Sequence, residues 1–132
     1  MIYLDANIFL YHLTSEDEKS EKCKRIISEV VENNNLGCTS MLTWDEVIYT
    51  LMKEKGKEEA AIEARKFLTI PNLIFIDVNF RIISFAQSLV ENYSLKPRDA
   101  IHAATAILNN CKEIASDDPD FDKIKELKRR KI

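Results

Sequence analysis

Glycine and proline are scarce in this 132-residue chain, at two and three residues. That scarcity excludes collagen-like and low-complexity compositions, which need them in quantity. No apolar run approaches the ~18 residues needed to cross a bilayer, so no membrane association is expected. The opening MIYLDANIFLYHL has no basic stretch ahead of its apolar residues and carries Asp5 early. It does not read as a secretory signal, and the cytoplasm is the expected compartment. Cysteine is limited to Cys23, Cys38 and Cys111. An odd, unclustered set argues against a disulfide framework or zinc knuckle, and the three read as buried or inert thiols. The only histidines are His12 and His102, and no Ser or Cys pairs with them to suggest a nucleophilic triad. A Gly-rich phosphate loop is also missing. Finally, there is no excess of positive charge: 19 Lys and Arg stand against 22 Asp and Glu, a net −3. This counts against bulk nucleic-acid binding but leaves an acidic metal site open.

What is present suits a single domain over residues 1–132, with 45% apolar residues to fill one core. Apolar strand-like runs alternate with amphipathic helical patterns. Strands are expected at Ile2–Asp5, Leu36–Ser40, Leu73–Val78 and Glu113–Ser116. Helices are expected at Ala6–Leu13, Ser15–Asn33, Thr43–Glu54, Glu58–Leu68, Phe80–Asn92 and Arg98–Asn109, the last opened by Pro97. A final helical turn follows Asp118-Pro119. Short apolar strands separated by helices predict an α/β fold with a parallel sheet covered on both faces. The basic run Lys128 to Lys131 reads as a solvated end, or else as a phosphate or partner contact.

Several acids fall where such a sheet gathers ligands. Carboxyl ends of parallel strands and amino ends of helices share one edge, and ligands bind there at the switch in strand order. Asp5, Asp99 and the cluster Asp117, Asp118 and Asp120 map to that edge. Each also has an ordinary explanation: Asp5 and Asp118 as helix caps, Asp99 as a first-turn acid favoured by the helix dipole. Together they would repel, so they must take up protons or bind a cation. An all-oxygen set suits a hard ion such as Mg²⁺ or Mn²⁺. Glu46 maps to the same edge, but the helical wheel does not select it. Trp44, Val47, Ile48 and Leu51 make the apolar face, Asp45 borders it and Glu46 lies nearly opposite. His102, three residues after Asp99, reads as a packing residue.

These residues resemble the motifs of the PIN-domain family. LDANIFLYHL resembles the first, TSMLTWDEVIY the second with Ser40, Thr43 and Glu46 in place, RDAIHAATAI the third, and ASDDPDFDKI the fourth. All four occur in order across almost the whole chain. The resemblance implies a three-layer α/β/α sandwich around a central parallel sheet of four or five strands. Ile124 to Ile132 is short and charged, which argues against a fifth. It implies a catalytic acid quartet at Asp5, Glu46, Asp99 and Asp118, and it chooses Glu46 over Asp45. Asn7 and Ser116 match supporting polar positions. The fourth motif leaves its metal-facing acid open, Asp118 first and Asp120 second, so the candidate ligands are Asp5, Asp99, Asp118 and Asp120.

The size looks most like VapC-type toxins, which implies an endoribonuclease using Mg²⁺ or Mn²⁺ on single-stranded or structured RNA, a small antitoxin partner and a homodimer. Asp5 and Asp99 would be direct ligands, with Glu46 and Asp118 completing the shell or orienting the attacking water. The reaction makes no use of the 2′-OH, so preference for RNA over single-stranded DNA rests on the resemblance. Two other readings share this fold: an RNA-processing nuclease without an antitoxin, and a non-catalytic RNA- or protein-binding module. A response-regulator receiver would need an acidic pair near the first strand, where only Asp5 stands. A haloacid-dehalogenase phosphatase would need Asp-x-Asp where this chain has Asp5-Ala6-Asn7.

Overall fold

The computed structural model describes residues 1 to 132. Five short strands form one sheet: β1 (Ile2–Leu4), β2 (Gly37–Ser40), β3 (Leu73–Ile76), β4 (Glu113–Ala115) and β5 (Lys128–Arg130). Their order is β3-β2-β1-β4-β5, and every pairing is parallel. Parallel neighbours need crossovers, and six helices supply them: α1 (Ala6–Thr14), α2 (Glu18–Val31), α3 (Leu42–Lys55), α4 (Lys57–Leu68), α5 (Phe80–Tyr93) and α6 (Pro97–Leu108). A 3₁₀ turn at Pro119–Lys123 joins β4 to β5.

Alternation along β1 divides the core in two. Ile2 and Leu4 face one side, packing with Phe9 of α1, Ile26 and Val30 of α2, Val47 and Leu51 of α3 and Phe67 of α4. Tyr3 faces the other, with Leu89 of α5, Ala100 and Ala104 of α6, Ile114 and Phe121. The result is a three-layer α/β/α sandwich. Phe67 anchors the first layer, meeting Phe9 and Phe75 edge to face at centroid distances of 4.8 and 5.2 Å. Helix α2 lies so close to β2 that any side chain at Gly37 would collide with Val30.

The sequence pattern placed the first four strands and all six helices to within three residues at each end. The fifth strand corrects the expectation drawn from its charge. Buried Ile124 and Leu127 anchor the segment, and β5 then pairs with β4 from Glu113↔Lys128 to Ala115↔Arg130. An edge strand tolerates charges, and these are engaged. Arg129 donates twice to Asp122, at 2.9 and 2.8 Å, and Arg130 donates twice to Glu29 of α2, at 2.9 and 2.8 Å. The basic run is thus largely a structural element. All three cysteines are buried as expected, but the fold brings Cys38 and Cys111 together, with sulfurs 3.3 Å apart. No helix is long and apolar enough to cross a membrane.

Candidate active site

The strand order reverses between β1 and β4, and the carboxyl ends of these two strands carry Asp5 and Ser116. Asp5 is extended (φ −77°, ψ 160°) and caps α1, accepting from the Ala6 N–H at 2.8 Å. Ser116 donates its hydroxyl to Asp5 Oδ2 at 2.6 Å. Asn7, in the first turn of α1, reaches both: its amide donates to Asp5 Oδ2 and to Ser116 Oγ, each at 3.2 Å. Ser116 Oγ also accepts from the Asp118 N–H at 3.0 Å. One hydroxyl therefore fixes the first acid and starts the turn that presents the later ones. Burial pushes the Asp5 carboxyl up from its ordinary value, although His102 and the Ser116 and Ala6 hydrogen bonds pull the other way.

Asp99 enters from the first turn of α6, which Pro97 opens. Carboxylate oxygens of Asp99, Asp118 and Asp120 lie within 4.8 Å of one another. Asp118 caps the 3₁₀ turn, accepting from the Asp120 N–H at 2.9 Å, and Asp120 pairs with Lys123 at 3.1 Å. Burial, then the charges of Asp118 and Asp5, push the Asp99 carboxyl up to about 6. Asp117 is drawn out of the cluster. Lys19 and Tyr11 both donate to its Oδ2, at 2.7 and 2.9 Å, and the Lys19 bond leads in holding its carboxyl below the usual range. Three adjacent acids are thereby sorted, with Asp118 and Asp120 facing Asp99 and Asp117 facing a lysine.

Glu46 joins from α3. Its side chain is only 22% exposed, because His102 Nε2 hydrogen-bonds to its Oε1. The helical wheel fails here. Trp44, placed on the apolar face, is partly exposed, while Glu46 is pulled inward by a partner on another helix. His102 is buried, as a packing residue would be, but it is also a polar link. Its Nδ1 lies 2.6 Å from the Tyr3 hydroxyl, and its Nε2 lies 3.7 Å from Asp5 Oδ1. Burial lowers its proton affinity, yet the Glu46 hydrogen bond and the Asp5 and Glu46 charges outweigh this and raise it. The sequence offered one unused signal: Asp99 and His102 are three apart on one helix, and such residues are neighbours on its surface.

Ser40 and Thr43 of the second motif are buried and shape the β2–α3 junction. The Ser40 N–H donates to the Tyr3 hydroxyl at 3.0 Å, Ser40 Oγ accepts from the Leu42 N–H at 3.1 Å, and Thr43 bonds Thr39 at 2.7 Å. Glu46, Asp99 and Asp118 line an open crevice of about 490 Å³ together with Lys96, Pro97 and Arg98. A smaller apolar cavity of about 290 Å³ between α1 and α4 is lined by Phe9, His12, Leu13 and Phe67 among others, with Glu63 its only acid. It lacks converging carboxylates, so the chemistry belongs to the crevice.

An α/β/α sandwich with several carboxylates gathered in a crevice at its switch point defines a class suited to divalent-cation chemistry. The chain belongs to the PIN domain family, whose model matches residues 2–127. It is similar to Ribonuclease VapC2 of Methanocaldococcus jannaschii, with 25% identity covering 93% of this chain and 88% of the relative. Its fold is similar to that of VapBC2 from Rickettsia felis bound to a DNA fragment from the promoter (TM-score 0.77, 23% identity, covering 99% and 98% of the two chains). It also resembles a toxin–antitoxin complex from Klebsiella pneumoniae (TM-score 0.73, 22% identity, covering 96% and 95%).

Proposed function

We propose that this protein is a divalent-metal-dependent endoribonuclease of the VapC type. The observation that carries the reading is the cluster of Asp99, Asp118 and Asp120, whose carboxylate oxygens lie within 4.8 Å of one another, beside a crevice that Glu46 also lines and near enough to Asp5 for its charge to bear on Asp99. Such a donor set fits Mg²⁺ or Mn²⁺, and an Asp99 carboxyl pushed up to about 6 by burial, and then by the charges of Asp118 and Asp5, is one whose ionised form a cation would stabilise. Asp99, Asp118 and Asp120 would hold the ion, with Asp5 and Glu46 beside them. When bound, such an ion would polarise a phosphoryl oxygen and lower the pKa of the water it holds.

The chain's own groups set the remaining geometry. Ser116 and Asn7 hold the Asp5 carboxylate in one orientation. Lys96 and Arg98, on the wall of the crevice, offer positive charge to a substrate's phosphates, which offsets the chain's acidic balance locally. Cleavage of single-stranded RNA and of single-stranded DNA of the same sequence, each with Mg²⁺ or Mn²⁺, tests the substrate class. Faster cleavage of RNA supports the reading, and equal rates contradict the RNA preference.

Two partners follow from the same reading. A small antitoxin would cover the crevice with an Arg-bearing segment, since guanidinium binds carboxylates in a bidentate way. Its inhibition should weaken as Mg²⁺ rises, and an inhibition constant indifferent to Mg²⁺ would place the block elsewhere. A second copy of the chain would cover the exposed apolar side chains along β3 and the start of α5, namely Ile74, Val78, Phe80 and Ile83, of which Phe80 is 87% exposed.

A further inference from the structure

The helical period of α3 gives Glu46 no reason to face the crevice, yet its side chain is drawn there by a contact from α6. That contact is the last, partly buried step of a chain through four elements of the fold. The Ser40 N–H, at the end of β2, donates to the Tyr3 hydroxyl at 3.0 Å. The hydroxyl meets His102 Nδ1 at 2.6 Å, and His102 Nε2 meets Glu46 Oε1. Tyr3 and His102 are almost wholly buried and pack edge to face, ring centroids 5.7 Å apart at 61°.

We propose that His102, oriented by Tyr3, is the positioning residue that draws Glu46 into the acidic crevice and fixes which carboxylate oxygen stays open to a cation. A tyrosine hydroxyl that accepts from Ser40 has its own proton to give, so in the neutral ring Nδ1 accepts and Nε2 carries the proton. The donor edge of the ring then faces Glu46 Oε1, with Asp5 Oδ1 3.7 Å away. A single N–H edge thus sits between acids of the first and second motifs. It leaves Glu46 Oε2 free and restricts the rotamers of a side chain that α3 would otherwise leave in solvent. Tyr3, deep in the second core and shielded on every side, cannot exchange its partner for water, so the ring has one orientation. Hydrogen-bond partners of this kind set both the direction and the strength of metal-binding groups.

The inference rests on the metal-site reading, and the test separates the two. Mn²⁺ binding to the metal-free protein is titrated for wild type and for H102A, H102Q, H102N and Y3F, with the folded fraction of each checked by circular dichroism. The Gln amide nitrogen can reach the Nε2 position, and the Asn amide nitrogen matches Nδ1. H102A and H102N should weaken Mn²⁺ binding about 10–100-fold, the range for losing a partner of a metal-binding group. H102Q should recover most of it. Nitrogen NMR of the imidazole should show the Nε2-protonated ring in the wild type at alkaline pH and a mixture of tautomers in Y3F. Absence of Mn²⁺ binding in the wild type would overturn the metal-site reading itself. Wild-type Mn²⁺ affinity in folded H102N, or equal behaviour of H102Q and H102N, would overturn the positioning role alone. If H102A does not fold, the Gln and Asn pair and the imidazole spectra still decide it.

Discussion

Ser116 donates its hydroxyl to Asp5 at 2.6 Å across the seam where the strand order reverses, 111 residues apart in the chain. The same oxygen receives the Asp118 N–H. Removing it in Ser116→Ala would leave a buried carboxylate and a turn amide each short of a partner. We expect a loss of about 1–3 kcal/mol in stability by urea unfolding and about a 10–100-fold fall in cleavage rate. Ser116→Thr, which keeps the hydroxyl, should retain more of both. An alanine variant equal to wild type in rate would show that Asp5 needs no such support.

The three acids of the fourth motif should separate on mutation. Asp118→Asn and Asp120→Asn alter carboxylates that face Asp99, whereas Asp117→Asn alters one held by Lys19 and Tyr11. We expect losses of at least ~100-fold for Asp118→Asn, in line with removing strong electrostatic stabilisation. Asp120→Asn should be intermediate, because Lys123 already shares its charge, and Asp117→Asn should stay within a few-fold of wild type. Single-turnover cleavage rates check the order.

Much of this was legible in the sequence, and the failures have specific causes. Asp5, Asp99 and Asp118 stand at strand ends and helix starts, positions that local pattern finds well, and the α/β/α architecture follows from the same alternation. Glu46 was not legible from its own helix, because its inward turn is set by His102, 56 residues later. His102 looked like core, and it is core, but its ring nitrogens meet Tyr3 and Glu46 only once α6 packs onto the sheet. The strand at Lys128–Arg130 was hidden by its charges, of which Arg129 and Arg130 are paired by Asp122 and Glu29 from elsewhere in the chain.

The metal-free protein should grow less stable as pH rises from about 4 to about 6. Asp99 is pushed up to about 6 when folded, above its ordinary value of 3.8. The folded state therefore holds a proton that the unfolded chain releases, and stability falls as pH climbs through that window. Asp5 and His102, both raised, act in the same direction, while His12, which burial lowers, opposes them. Asp99→Asn isolates the effect: it should raise the metal-free melting temperature near pH 7 and flatten the dependence. Saturating Mn²⁺ should remove the difference in slope for the wild type. A variant that melts lower than wild type without metal would contradict the cost of ionising a buried Asp99 beside Asp118 and Asp5.

The apolar side chains at β3 and the start of α5 should support self-association. Phe80→Glu places a charge at an 87% exposed aromatic and should convert a dimer to a monomer by light scattering, with the circular dichroism spectrum unchanged. A wild-type chain that is monomeric at all concentrations would remove the dimer from the account.

The central claim is that these carboxylates act through a divalent cation, and one measurement addresses it most directly. Cleavage of single-stranded RNA by purified protein is followed without added metal, with EDTA, and with Mg²⁺ or Mn²⁺ restored, for wild type beside Asp5→Asn and Asp99→Asn. We expect no cleavage in EDTA, recovery on adding metal, and at least ~100-fold lower rates in both folded variants at saturating metal. Full activity in EDTA, or near wild-type rates in both variants, would contradict it.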